Sequence, residues 1–284
     1  MKYNKWLEKN TIRLDSKLIA ITGSTGGLGK EICKYLGYLG ANLILINRNN
    51  QKTEEQKIYL EEKYNIKVIC VTCDMANINS VYAAIKVLNN YKIDYLILNA
   101  GAYKIKRYVT DLGIDNLFLI NNISPYLLVK GLIDNIKQIV MVSSIAYCFA
   151  KFDVDNYDYK RRSDMKTYGN SKRWLMFSLI HLCDSHDIKL SIGHPGITPT
   201  NIIANYPKLI KAIIKYPMKL LFISPKKASL CIISSLFNPC LDCWYGPRFF
   251  NIWGMPSRKK HKYNNLEASK MLIINESIIE KTKD

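Results

Sequence analysis

The sequence predicts a single doubly wound α/β domain, a parallel sheet of about seven strands with helices on both faces. Two observations carry that prediction. Short apolar, β-branched runs alternate with longer helical patterns along most of the chain, the mark of repeated strand–helix–strand units. The apolar runs are also continuous, not alternating, as expected of strands covered on both faces. A length of 284 residues suits one such domain, and 48% hydrophobic residues supply a sizeable core. That composition excludes a disordered or fibrous chain.

Taken in order, the strand runs are KLIAIT (17–22), NLILIN (42–47), KVICVT (67–72), DYLILN (94–99), QIVMVS (138–143) and KLSIGH (189–194). Helical patterns fall between them, roughly over 27–39, 52–64, 78–90, 112–134 and 168–184. No second core, linker or internal repeat interrupts the series. Residues 1–16 read as an N-terminal extension, 17–252 as the domain, and 253–284 as a tail packing on or near it.

The first strand runs into TGSTGGLG and then directly into a helical pattern. Gly23, Gly27 and Gly29 sit where the chain turns sharply from strand to helix. Glycine there permits unusual backbone angles and lets a pyrophosphate approach the helix N-terminus, where free N–H groups favour anions. This is the nucleotide-binding corner of a Rossmann-type fold. Its spacing is G-x-x-x-G-x-G and not G-x-G-x-x-G.

Further landmarks follow: CDM (73–75), NAG (99–101), NN (121–122), VSS (142–144), YGNSK (168–172) and HPGITPT (194–200). In this order, over about residues 17–252, they resemble the short-chain dehydrogenase/reductase family. The resemblance implies a role for each residue. Tyr168 would donate a proton to a carbonyl, or act as base in the reverse direction. A free tyrosine has a pKa of about 10, and Lys172, one helical turn along, would favour the phenolate and draw that value down. Lys172 would also hold the nicotinamide ribose. Ser144 would orient and polarise the carbonyl, and Asn121 would hold the water that relays protons through Lys172. The cofactor would rest on Gly23, Ser24, Gly27, Leu28 and Gly29, on Asp74 (adenine amino group) and Met75, and on Asn99, Ala100 and Gly101. Pro195, Gly196, Ile197 and Thr200 would complete that surface at the nicotinamide end. Asn99 would also tie the central strands, and Thr22 would pin the glycine turn.

The end of the second strand reads LILINRNN, with Asn47 and Arg48 where an NAD-preferring site places an acid. Arginine offers a planar fork suited to a 2′-phosphate, so NADP(H) is expected over NAD(H). The long segment between Ser144 and Tyr168 resembles that of the retinol-dehydrogenase-like subgroup. It implies a lipophilic carbonyl or alcohol substrate, retinoid-, steroid- or lipid-like. Two pairs depart from the subgroup: Ser124-Pro125, and Arg173-Trp174 directly after Lys172.

In residues 205–225, Lys208, Lys211, Lys215 and Lys219 fall on one stripe opposite apolar residues, and Pro217 divides the pattern. The segment reads either as a lid (200–225) over the active site or as a peripheral contact with an anionic membrane. The formal charge of +18 is spread along the chain. With no nucleic-acid motif beside it, a nucleic-acid partner is not expected. Two C-x-x-C pairs, Cys70/Cys73 and Cys240/Cys243, read as structural thiols and not as a metal site, since residues three apart on a strand face opposite ways. The N-terminus lacks the apolar core of a signal peptide and no run reaches membrane-span length, so a cytoplasmic protein is expected, with contact to a membrane surface as an option. By resemblance, subunits would associate through the helices after the fourth and fifth strands. The rival reading is a catalytically inactive nucleotide-binding member serving as redox sensor or scaffold. Retention of Asn121, Ser144, Tyr168 and Lys172 together argues against it.

Overall fold

The computed structural model describes residues 3–150, 163–198, 222–261 and 264–282. Thr200, the segment 205–221 and most of the stretch between Ser144 and Tyr168 (151–162) lie outside those residues. The elements run α1 (Asn4–Asn10), β1 (Leu18–Thr22), α2 (Gly27–Tyr38), β2 (Asn42–Asn47), α3 (Asn50–Tyr64), β3 (Val68–Thr72), α4 (Ile78–Leu88) and β4 (Ile93–Leu98). Next come the short α5 (Asn116–Phe118), a π-helical turn (Leu119–Ile123), α6 (Ser124–Gly131), β5 (Ile136–Val142) and a 3₁₀ turn (Ile145–Phe149). The remainder is α7 (Asp164–Ser185), β6 (Lys189–Gly193), α8 (Pro225–Phe237), β7 (Cys243–Phe249), β8 (Trp253–Lys260) and α9 (Asn265–Glu280).

The sheet has eight strands in the order β3-β2-β1-β4-β5-β6-β7-β8. β1 to β7 are parallel, and β8 returns antiparallel to β7. The chain reverses direction across the sheet between β1 and β4, and such a switch point opens a crevice at the carboxyl ends of the strands. Leu18–Thr22 register against Asn42–Ile46 on one side, and Ile19–Ile21 against Tyr95–Ile97 on the other. These central strands are apolar throughout because both faces are covered. α2 and α8 pack one face with Ile32, Leu36, Ile232 and Ile233. α4, α6, α7 and α9 pack the other with Val81, Leu128, Phe177 and Met271.

The ends of the chain join this unit. Leu7 and Leu14 of the N-terminal extension are buried among α2 and β2 side chains. The sheet continues past the boundary expected at 252, since β7 and β8 form one hairpin. β8, WGMPSRKK, carries a proline and three cations, residues suited to an exposed edge strand and foreign to the apolar pattern of the interior. α9 lies against α7 and the π-helical turn ahead of α6. It therefore covers part of the face expected to meet another subunit. Cys240 and Cys243 differ from the expected free thiols: the turn before β7 folds them together as a disulfide. Cys70 and Cys73 stay unpaired, Cys73 in the core and Cys70 half-buried.

Candidate active site

At the end of β1 the backbone of Gly23 adopts a left-handed φ of 66°. A Cβ there would lie 2.9 Å from Ala100 Cα, and one on Gly29 would lie 2.3 Å from the Gly23 carbonyl oxygen. The turn is thus pressed against the end of β4 and closed on itself at spacings only glycine allows. Asn99 holds it, its Nδ2 donating to the carbonyls of Thr22 (3.0 Å) and Gly23 (2.9 Å). The Thr22 hydroxyl accepts from the main-chain N–H groups of Asn99 (3.0 Å) and Ala100 (2.9 Å). α2 begins at Gly27 with no side-chain cap, so its first-turn N–H groups face the crevice available to an anion.

Ser24 lies in the turn with its side chain facing inward. Its buried hydroxyl donates to Gln56 Oε1 (3.0 Å) and accepts from Asn47 Nδ2 (2.7 Å), leaving only its main chain at the turn. Asn47 is spent in the same network, its Oδ1 accepting from the Thr25 N–H at 3.3 Å. Arg48, next along, is exposed and makes no ion pair among the described residues. Asp74 receives the N–H of Ala76 (2.9 Å). Met75 is buried and its carbonyl accepts from the Ser124 hydroxyl (2.7 Å), which gives the unusual Ser124 a structural task. Leu28 is half-buried on the first turn of α2.

Past β4, the carboxamide of Asn121 grips Ala102 at both ends, Oδ1 accepting from its N–H (2.8 Å) and Nδ2 donating to its carbonyl (2.9 Å). Asn121 lies in the π-helical turn, a distortion common at functional sites. A Cβ on Gly101 would fall 3.2 Å from Asn121 Oδ1 and 3.3 Å from Lys172 Nζ. The missing side chain therefore lets those two polar groups close on the main chain of Gly101, where even a methyl group would be crowded.

Ser144, at the end of β5, caps the 3₁₀ turn through the Ala146 N–H (3.3 Å), and its hydroxyl favours the ionised form of the Tyr168 phenol. Tyr168 can come this close because position 169 is glycine: a Cβ there would lie 2.6 Å from the Ala146 carbonyl oxygen. Lys172, 4% exposed, donates from Nζ to the Val142 carbonyl (3.1 Å), and its Nζ stands 5.9 Å from the centre of the Tyr168 ring. Burial pulls the Lys172 ammonium down to about 8 and pushes the Tyr168 phenol up to about 12. Ser144 acts against the rise at Tyr168, and Tyr103 adds to it. This reverses the expectation that Lys172 draws the phenol down. In the protein alone desolvation dominates at Tyr168, and Lys172 is held toward Val142. At neutral pH the tyrosine is protonated and the lysine mostly charged.

The loop after β6 carries the remaining described residues expected to line the crevice. Gly196, with φ 81°, leaves no room for a Cβ beside Pro247 Cγ at 2.9 Å. Ile197 accepts at its carbonyl from the Ile223 N–H (3.2 Å), and Pro195 is half-buried beside them. His194 is buried, its Nε2 3.1 Å from the Asn251 carbonyl oxygen, and burial lowers its pKa to about 4, so it stays neutral. Two participants were not singled out in the sequence. Tyr103 stacks at 5.1 Å on Tyr168, and the Val142 carbonyl holds Lys172. Tyr103 lies two residues after NAG, and its position near Tyr168 follows only from the fold.

A short chain dehydrogenase family model matches residues 17–208, two-thirds of the chain. The chain belongs to the short-chain dehydrogenase family. This dehydrogenase is 30% identical over 222 residues to the short-chain dehydrogenase TIC 32 A, chloroplastic, of Brassica napus, covering 69% of this chain and 68% of that one. It is 26% identical to polyprenol dehydrogenase of Homo sapiens, covering 83% and 77% of the two chains. With retinol dehydrogenase 13 of Homo sapiens it also shares 26%, over 66% of this chain and 61% of the relative. Among solved structures, an uncharacterised protein from Mycobacterium paratuberculosis superposes with a TM-score of 0.75 over 95% of both chains at 19% identity. L-sorbose reductase from Gluconobacter frateurii, solved with NADPH and L-sorbose, superposes at 0.59 over 77% of this chain and 88% of that one, also at 19%. These two likenesses support the fold of the dehydrogenase and no more.

Proposed function

We propose that this short-chain dehydrogenase interconverts a lipophilic carbonyl and its alcohol with NADP(H), with reduction the direction its resting ionisation favours. The observation that carries the reading is the convergence of Ser144, Tyr168, Lys172 and Asn121 at the ends of β4 and β5. The residues present fit the cofactor: the uncapped start of α2 and the closed glycine turn suit a pyrophosphate. The Lys172 ammonium, packed beside Gly101, would meet the ribose. Exposed Arg48, with no acid at Asn47, suits a 2′-phosphate. When bound, the nicotinamide supplies the hydride in reduction and accepts it in oxidation.

In reduction, the protonated Tyr168 gives its proton to the carbonyl oxygen while the Ser144 hydroxyl donates a second hydrogen bond to that oxygen and fixes its position. Lys172 holds the ribose hydroxyls with its ammonium. Asn121 would orient the water from which a proton returns to Tyr168. The lipophilic substrate is supported by relatives named for retinol and polyprenol. It also fits the exposed apolar side chains of Phe149 on the 3₁₀ turn that follows Ser144 and of Met165 on the first turn of α7, which carries Tyr168.

The test is a titration with NADPH and NADH, followed by turnover of retinoid, steroid and small carbonyls. NADPH is expected to bind more tightly, and Arg48→Ala to lower its affinity about tenfold or more while leaving NADH unchanged. Tyr168→Phe should cut kcat about 10²–10⁴-fold with NADPH affinity held. Tighter binding of NADH would remove the Arg48 assignment. A Tyr168→Phe enzyme working at the parent rate would remove the mechanism.

A further inference from the structure

The two residues that follow catalytic positions in sequence, Asn122 after Asn121 and Arg173 after Lys172, both turn away from the crevice and meet α9. Asn122 donates from Nδ2 to Asn275 Oδ1 (2.7 Å), and Asn275 Nδ2 donates to Asn122 Oδ1 (3.3 Å) and to the Ser178 hydroxyl of α7 (3.0 Å). All three residues are fully buried. Arg173 forms a two-pronged pair with Glu267, Nε to Oε1 at 2.6 Å and NH2 to Oε2 at 2.7 Å, and its guanidinium lies 4.7 Å from the Phe177 ring centre. Both contacts thus sit one residue from the groups that face the substrate space.

The stripe that α9 buries is Glu267, Ala268, Met271, Asn275, Ile278 and Ile279, with two polar side chains, a carboxylate at its start and a carboxamide at its middle. A buried carboxamide without partners is costly, so Asn275 favours the register that supplies them. That register also brings Glu267 to Arg173, and the planar fork fixes rotation as well as distance. On the other side, the π-helical turn lets consecutive asparagines face opposite ways, Asn121 to Ala102 and Asn122 to α9. The phase of that turn and the rotation of α7 are therefore held from behind by one helix. Arg173 and Trp174 lose their oddity here: Arg173 is the anchor for Glu267, and Trp174 is buried edge-on to Phe118 at 5.1 Å.

We propose that α9 is a positioning clamp for the catalytic centre, with Asn275 and Glu267 as positioning residues that hold Asn121 and Lys172 through their sequence neighbours. The kinetic part of this inference rests on the reductase reading; the structural part does not.

The experiment compares Asn275→Ala and Glu267→Gln with Tyr82→Phe in the full chain. Tyr82→Phe removes the Tyr82–Thr282 hydrogen bond (2.6 Å) just past the far end of α9 and serves as a control that loosens docking away from the centre. All three are expected to lower the melting temperature. Below melting, Asn275→Ala and Glu267→Gln should reduce kcat about tenfold to a hundredfold, as a small misplacement does. KM for NADPH should stay within twofold, and the upper limb of the kcat/KM pH profile should move. Tyr82→Phe should leave kcat and the profile as in the parent. Amide hydrogen exchange over 119–124 and 170–178 should quicken in the first two variants and not in the control. That readout needs no turnover, so a parent chain without reductase activity would end the functional reading and leave the clamp testable. Unchanged exchange in those segments, or equal kinetic effects from all three variants, would overturn the proposal. If Asn275→Ala does not fold, Glu267→Gln alone decides by the same criteria.

Discussion

The glycine turn after β1 and the Ser144–Tyr168–Lys172 cluster after β5 are built in opposite ways within one crevice. The turn uses no titratable side chain: Thr22, Asn99, Asn47 and Ser24 satisfy one another and the main chain, and what remains open is a helix start. A permanently charged guest such as a pyrophosphate asks only for donors in fixed places. The centre instead buries a phenol and an ammonium and moves both from their ordinary pKa values, upward at Tyr168 and downward at Lys172. The turn is stable because it is fully bonded, whereas the centre holds a cost that folding elsewhere must cover.

Lys172→Met gives the largest expected break between the two. Relieving the desolvation behind a fall from 10.5 to about 8 is worth roughly 3 kcal/mol at pH 7. Stripping the Val142 carbonyl of a donor costs roughly 1–2 kcal/mol. Stability should therefore rise by roughly 1–2 kcal/mol in denaturant melts while kcat/KM falls by about two orders of magnitude or more. A variant that lost stability and activity together would show that the centre carries no stored cost.

Gly29→Ala is the matching change at the turn and should move both quantities downward. Its Cβ would meet the Gly23 carbonyl at 2.3 Å, so overpacking of about 1–3 kcal/mol is expected, with weaker NADPH binding by calorimetry. A smaller effect comes from pH. Because the Lys172 pKa is lowered to about 8, its ammonium is present below that value and lost above it. NADPH affinity should fall up to about tenfold between pH 7 and 9, following proton linkage. The same fall in Lys172→Met would assign the titration to another group. The smallest effect is Gly26→Ala. Its Cβ would find the Gly23 carbonyl oxygen at an ordinary 3.4 Å, and stability should change within about 0.5 kcal/mol.

The parallel half of the fold was legible because each of β1 to β6 is a continuous apolar run, and a fully covered strand has no other way to be written. β7 and β8 were not, since CWYGPRF and WGMPSRKK mix glycine, proline and cations as edge strands do. α9 escaped for a different reason. Its buried stripe includes Asn275, so it reads as a polar helix until Asn122 and Ser178 are seen to receive it. In the site, residue identities could be read from motifs, but ionisation could not. The rise at Tyr168 depends on Tyr103, on the close approach permitted by Gly169, and on how deeply α7 sits against the 3₁₀ turn. Those are facts of packing, and the pair YGNSK carries no trace of them.

α9 also follows every residue of the centre in chain order. As the polypeptide leaves the ribosome, Gly23, Asn121, Ser144, Tyr168 and Lys172 have all emerged before Glu267 and Asn275. A nascent chain can lay down its parallel strands and close the nucleotide corner while the catalytic side chains still lack the helix behind them. If the proposed reading and the α9 clamp hold, competence for the reaction would arrive at the docking of one late segment, and the emerging chain would hold cofactor before it could turn it over.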